Sequence, residues 1–174
     1  MTWTMKDHDH AADRQDAQRI RERFPEIATV SFECMGGWHG LLEKMFESIR
    51  EAIPPGSEDR WSLWQLKEKM AGLRVYHSYA NFVDDERPED ADVRHKIEAA
   101  VRLAEARAEH TCDICGHRGR LRARGGWYMT RCDEPADGGV EDPAWLGEKT
   151  VYGFGGRHYH FDPDRDQFVE IDNE

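Results

Sequence analysis

The 174 residues contain no run of about 18 apolar positions, so no segment has the make-up of a membrane-spanning helix. The opening MTWTMKDHDHAADRQ is polar and lacks the apolar stretch of a secretory signal, which makes the cytoplasm the expected compartment. Positive charge is in short supply. Lys and Arg total 24 against 35 Asp and Glu, and the net charge of −11 excludes a phosphate-binding footprint over the whole surface, though not a local patch. No G-x-S-x-G, phosphate-binding loop or dinucleotide fingerprint occurs, so an enzyme reading lacks a nucleophile. Cysteine is scarce too. Four cysteines in a chain expected in a reducing compartment point to thiols and metal ligands rather than a disulfide framework.

What is present reads as one compact α+β unit. Residues 10–24 form a polar helix that stops at Pro25, and IATVSF (27–32) is rich in β-branched residues and predicts a strand. Cys34, alone after that strand, reads as a small buried hydrophobe. The clearest helix follows: Trp38, Leu41, Leu42, Met45, Phe46, Ile49 and Ile53 make one apolar stripe, ended by Pro54-Pro55-Gly56. Residues 62–79 predict a β-hairpin turning at Ala71-Gly72, with Lys69 opposite Arg74 and Lys67 opposite Tyr76. Alternation then places Trp64, Leu66, Met70, Leu73, Val75 and Tyr79 on the core face. Glu68 and His77 share that face as a plausible near-diagonal pair. An acidic linker (83–92) leads to a helix over 92–109, a hairpin turning at Gly125-Gly126, and final strands joined at Gly155-Gly156. His8 and His10 fall in a terminus expected to be mobile.

Cys112-x-x-Cys115 followed by Gly116 has the form of a zinc knuckle, in which one tight turn presents two thiolates and glycine supplies a positive φ. The hairpin over residues 120–131 can return Cys132 as a third ligand, and thiolates select a soft cation such as Zn²⁺. The fourth ligand is open, and a degenerate knuckle that binds no metal is a further reading. His158 and His160 share a strand face and are candidates, as are the nearer Asp133 and Glu134. His117 is poorly placed to reach back, and His160, beside Tyr159 and Phe161, reads equally well as an ordinary strand histidine. Three thiolates damp the Lewis acidity of zinc and no deaminase motif accompanies them, so a structural role is expected.

Three stretches in order, ECMGGW, QLKEKMAGLRVY and CDICGHRGRLRARGGWYMTRC, resemble a family of small proteins of phage genomes and prophage regions. Its members read ECGDGW, VKEKFGxLRFY, CxxCGxxGxLR and GWxxTLCxxH. The resemblance spans residues 24–134 and implies architecture and genomic setting, not an activity. The family's final histidine is Pro135 here, and its Asp-Gly before Trp is Gly36-Gly37.

Two cationic faces follow. Lys67, Lys69, Arg74 and Tyr76 converge on the outer face of the first hairpin, on positions matching the family's KEK…LRFY. Gly36, Gly37 and Trp38, opening a helix, would add backbone donors for an anion. The alternative is a solvated face whose lysines protect a sheet edge. Arg120, Arg122 and Arg124 line a second face, joined by Arg118 and Arg131; the acidic stretches 84–92 and 133–142 are expected to neutralise it.

The expectation is therefore an α+β fold: a small antiparallel sheet packed against two or three helices, with a zinc-knuckle hairpin. The core spans 1–110, the knuckle 111–135 and the packed tail 136–174. The expected function is a non-enzymatic, phage-associated zinc protein binding an anionic small molecule, such as a nucleotide, or a protein partner. The rival is a metal-dependent nuclease of treble-clef type, with His158, His160 and Asp162 as a second metal centre. Nucleic acid is the less favoured partner, and the exposed hairpins suit a homodimer.

Overall fold

The computed structural model describes residues 8–81, 85–133 and 150–171. The expected α+β class is what it shows: three helices and three small sheets. Helix α1 (His10–Arg23) starts at Asp9, whose Oδ1 accepts from the N–H groups of Ala11 and Ala12, both at 3.0 Å. The chain then turns back on the helix: the N–H groups of Ile27 and Ala28 both donate to the Phe24 carbonyl. That hydrogen bonding removes most of the strand expected over 27–32 and leaves only β1 (Phe32–Glu33).

Helix α2 (His39–Ala52) follows a single 3₁₀ turn at Gly36–Trp38 and carries the apolar stripe read from the sequence. Leu42, Met45, Phe46 and Ile49 are fully or nearly fully buried. They pack with Ile20, Phe24, Leu66, Leu73 and Ile97 into one core. Arg19 and Arg23 of α1 grip Glu43 and Glu47 of α2 across the outside of that contact.

Strands β2 (Trp61–Lys69) and β3 (Gly72–Tyr79) form the expected hairpin in a corrected register. Lys67 lies opposite Arg74 and Lys69 opposite Gly72, because the turn residues are Met70 and Ala71, at φ 51° and 66°. Tertiary bonds hold this unusual pair in the left-handed region. Glu68 Oε1 accepts from Ala71 N at 2.7 Å, and Thr130 Oγ1 donates to Ala71 O at 2.8 Å. The correction shifts each pairing by two residues, so side-chain faces are preserved. Two residues depart from them. Trp64 sits at a bulge and Met70 in the turn, leaving them 55% and 65% exposed, while Trp61 and Leu63 fill the core. The expected Glu68–His77 pairing is absent: Glu68 faces Leu73, and His77 stacks on Trp61 beside Glu98.

Strand β1 joins β2 in parallel, Phe32 against Leu66, the one parallel pairing in these otherwise antiparallel sheets. Helix α3 (Asp90–Ala108) lies along β3, whose Val75 N–H donates to Glu105 Oε1 at 3.3 Å. Part of the acidic linker wraps buried Arg60: Asp85 and Asp90 both accept from its guanidinium. Strands β4 (Arg120–Arg124) and β5 (Trp127–Arg131) turn at Gly125-Gly126 as expected, and β6 (Tyr152–Phe154) and β7 (Arg157–Asp162) at Gly155-Gly156. Strand β8 (Gln167–Glu170) completes the tail sheet, which meets the end of α3 through Arg107–Asp166 at 2.6 Å. Among the described residues no helix is long and apolar enough to cross a membrane.

Candidate metal centre

Thr111 to Gly119 form a tight loop between α3 and β4. It closes on itself through Cys112 N donating to His117 O at 2.8 Å and Gly116 N donating to Cys112 O at 3.0 Å. Gly116 takes φ 77°, the left-handed conformation expected for a knuckle glycine. The following hairpin carries Cys132 back. The sulfur atoms of Cys112, Cys115 and Cys132 all lie within 4.8 Å of one another, and those of Cys115 and Cys132 are 3.5 Å apart. Tetrahedral coordination with metal–sulfur bonds of about 2.3 Å spaces sulfurs about 3.8 Å apart, so the cluster has the dimensions of a metal site.

Backbone dipoles favour the anionic form here. Burial pushes the Cys112 thiol up, but the N–H groups of Cys115, Cys132 and Ile114 hydrogen-bond to its sulfur and bring it below the ordinary thiol value. At Cys115 burial wins over the His117 N–H, and the thiol is raised. A cation bound by all three would relieve the mutual repulsion of the thiolates. The three cysteines can hold a metal ion.

No histidine or carboxylate among the described residues joins the three sulfurs at that spacing. His158 and His160 sit on β7 opposite Gly153 and Val169, outside the cluster. Asp133 is engaged by Arg120 and Arg122 instead. Glu134 and Pro135 lie outside the described residues. The second centre proposed for a nuclease is not assembled either. His158, His160 and Asp162 do not converge, and Asp162 Oδ1 accepts from the N–H groups of Asp164 and Arg165 in a turn.

The Gly36-Gly37-Trp38 turn has a role the sequence reading missed. It is wedged against the knuckle. Gly37 N donates to Asp113 O at 2.9 Å, Trp38 Nε1 donates to Thr111 O at 2.9 Å, and Gly36 N donates to Asp13 Oδ2 at 3.0 Å. A Cβ on Gly37 would fall 2.3 Å from Cys112 O and 2.6 Å from the Asp113 carbonyl, both backbone atoms that cannot swing aside. The expectation that Gly36, Gly37 and Trp38 bind an external anion is thus corrected: the two glycine N–H groups have internal partners, and Trp38 is completely buried. Arg131, expected on the second cationic face, is instead buried beneath the knuckle in an ion pair with Asp113, a residue that no sequence pattern singled out. Burial pushes the Asp113 carboxyl up to about 6 against the pull of Arg131.

The first hairpin does present Lys67, Lys69, Arg74 and Tyr76 on its outer face. Lys67 Nζ stands 5.4 Å from the centre of the Tyr76 ring, and Arg74 Nη1 donates to Leu73 O at 2.7 Å. Among the described residues no carboxylate comes within ion-pair distance of Lys67, Lys69 or Arg74. The arginine hairpin differs. Arg120 and Arg122 bond Asp133, and Arg118 reaches Asp164 at 3.2 Å, so acids from its own flank and from the tail take up its charge. No family model, curated protein or solved structure matches the chain.

Proposed function

We propose that this chain is a non-enzymatic, phage- or prophage-associated zinc protein that binds an anionic partner on the outer face of the β2–β3 hairpin. The zinc is structural. Thiolate chemistry supports this identity: soft sulfur donors favour Zn²⁺ over Mg²⁺ or Ca²⁺, and three of them leave little Lewis acidity for hydrolysis. Cys112, Cys115 and Cys132 would hold it, tying the knuckle to the end of β5.

The observation that carries the binding role is the contrast between the cations. In a protein of net charge −11 most of the arginines named above have carboxylate partners, while among the described residues no carboxylate lies within ion-pair distance of Lys67, Lys69 or Arg74, which share one sheet face. Two ammonium groups, a guanidinium fork and a phenol suit a phosphate or a cluster of carboxylates. The surrounding surface is acidic and repels anions at long range, so recognition has to be local and salt-sensitive. The resemblance to phage proteins supports the setting and falls on these same hairpin positions.

Calorimetric titration with pyrophosphate and ATP tests the reading. Binding that weakens at least about tenfold in Lys67→Glu/Arg74→Glu, roughly one strong charge-assisted contact, is the expected result. Equal affinity in wild type and variant, or no binding by wild type, would sink the small-anion form of the proposal. The protein-partner form is tested with a polyglutamate peptide in place of the nucleotide.

A further inference from the structure

At the opposite side of the Gly36-Gly37 turn from the knuckle lies a second group of ligand-type side chains. His8, His10 and Asp13 bring a ring nitrogen each and a carboxylate oxygen to within 4.8 Å of one another. The backbone places them there. His10 N donates to His8 O at 3.0 Å, folding the chain back just before α1, and Asp13 stands one turn into the helix below His10. The terminus expected to be mobile is therefore anchored at His8, whose Nε2 lies 2.6 Å from Asp13 Oδ2. The imidazoles of His8 and His10 meet edge to face at 4.9 Å.

Two further observations point to a ligand. Asp13 Oδ2 also accepts the Gly36 N–H, an outer contact of the kind that orients a metal-binding carboxylate. In addition, His10 and Asp13 line a cavity of about 180 Å³ whose walls include Cys34, Met35 and His39. His39 is buried and its Nδ1 donates to Asp16 at 3.0 Å, so a further imidazole in the cavity wall is held in a fixed orientation. We infer that His8, His10 and Asp13 form a second metal site, for a divalent first-row transition ion, independent of the cysteine centre.

Two imidazoles and one carboxylate are the donor set for Zn²⁺, Co²⁺ or Fe²⁺ rather than for Mg²⁺ or Ca²⁺, which take oxygen alone. Metal–ligand bonds of about 2.1 Å put neighbouring donor atoms about 3.0–3.4 Å apart in octahedral or tetrahedral geometry, so the ion replaces the His8–Asp13 hydrogen bond with an outward movement of the His8 ring of under about 1 Å. Three protein ligands leave coordination positions that water or a small anion can fill. The site shares no ligand with Cys112, Cys115 and Cys132 and differs from it in donor chemistry, which makes the two separable by spectroscopy.

The test uses the untagged full chain, stripped of metal and titrated with Co²⁺, reading bound cobalt per chain and the visible spectrum. Cobalt on the cysteines gives an intense thiolate charge-transfer absorption, whereas cobalt on nitrogen and oxygen gives only weak d–d bands. Wild type is expected to show both. His8→Ala/His10→Ala, which removes no core residue and leaves the Asp9 cap in place, is expected to lose one cobalt per chain and the thiolate-free bands, with the thiolate absorption unchanged. A wild type with thiolate-bound cobalt alone, or a double variant that keeps the thiolate-free bands, would overturn the site.

Discussion

Residues 39–79 bury Leu42, Phe46, Ile49, Trp61, Leu66 and Leu73, whereas residues 111–133 bury Asp113, Arg122, Thr130 and Arg131 around two cysteines. The first region is what the hydrophobic effect builds: a helix stripe against a sheet face, each large side chain contributing about 1.5–3 kcal/mol on leaving water. The second has almost no apolar interior, and a buried ion pair such as Asp113–Arg131 gains little net free energy after desolvation. It is held by its docking on Gly36–Trp38, by Thr130 bonding the turn of the first hairpin, and by what the three thiolates can bind. The difference shows why a short cysteine-bearing module needs no core of its own when a neighbour supplies the surface.

That comparison can be broken most forcefully at Phe46, which packs on Phe24 and Phe32 with no exposed surface. Phe46→Ala should cost about 3–5 kcal/mol in urea unfolding, through lost transfer energy and the cavity left behind. A cost under about 1 kcal/mol would mean that the first region is not the stabilising one. Next comes Gly37→Ala, which forces a methyl into the Cys112 and Asp113 backbone. We expect a loss of about 3 kcal/mol, at the upper end for overpacking, together with a weaker capacity of the three cysteines to hold a metal ion. Wild-type stability and metal content in this variant would refute the docking.

Cys132→Ser probes the second region alone. Hydrogen exchange should accelerate across residues 111–133 while the β2–β3 hairpin keeps its protection; a uniform change over both would show that the regions unfold as one unit. The smallest effect is expected at Glu43, which Arg19 and Arg23 hold down at about 2 against an ordinary value of 4.5. A lowered folded-state value contributes stability above pH 4.5 and loses it as pH falls toward 2. Glu43 is partly exposed, so Glu43→Gln should cost no more than about 1 kcal/mol at pH 7 and should flatten the decline below pH 4.5. An unchanged acid profile would count against the grip of α1 on α2.

Much of this was legible in the residues. The α2 stripe repeats at the helical period, so its buried face could be read directly, and the Gly-Gly pairs at 125–126 and 155–156 marked both later turns through their positive φ. The hairpin faces were also readable, because a two-residue slip does not change which way a strand residue points. The turn itself was not, since Met70 and Ala71 have no intrinsic preference for positive φ and are held there by Glu68 and Thr130. Local pattern likewise suggested a strand at 27–32, where the N–H groups of Ile27 and Ala28 instead close onto Phe24.

The sequence by itself determined periodicity, turn chemistry and the grouping of three cysteines, because these depend on neighbours a few residues apart. Only the tertiary structure decided that Gly36-Gly37-Trp38 is a dock for the knuckle rather than an anion cradle, and that His8 and His10 meet Asp13. Such roles depend on which backbone atoms arrive from distant parts of the chain. A glycine before a tryptophan looks the same in sequence whether the space beside it holds solvent or, as at Gly37, the carbonyl of Cys112.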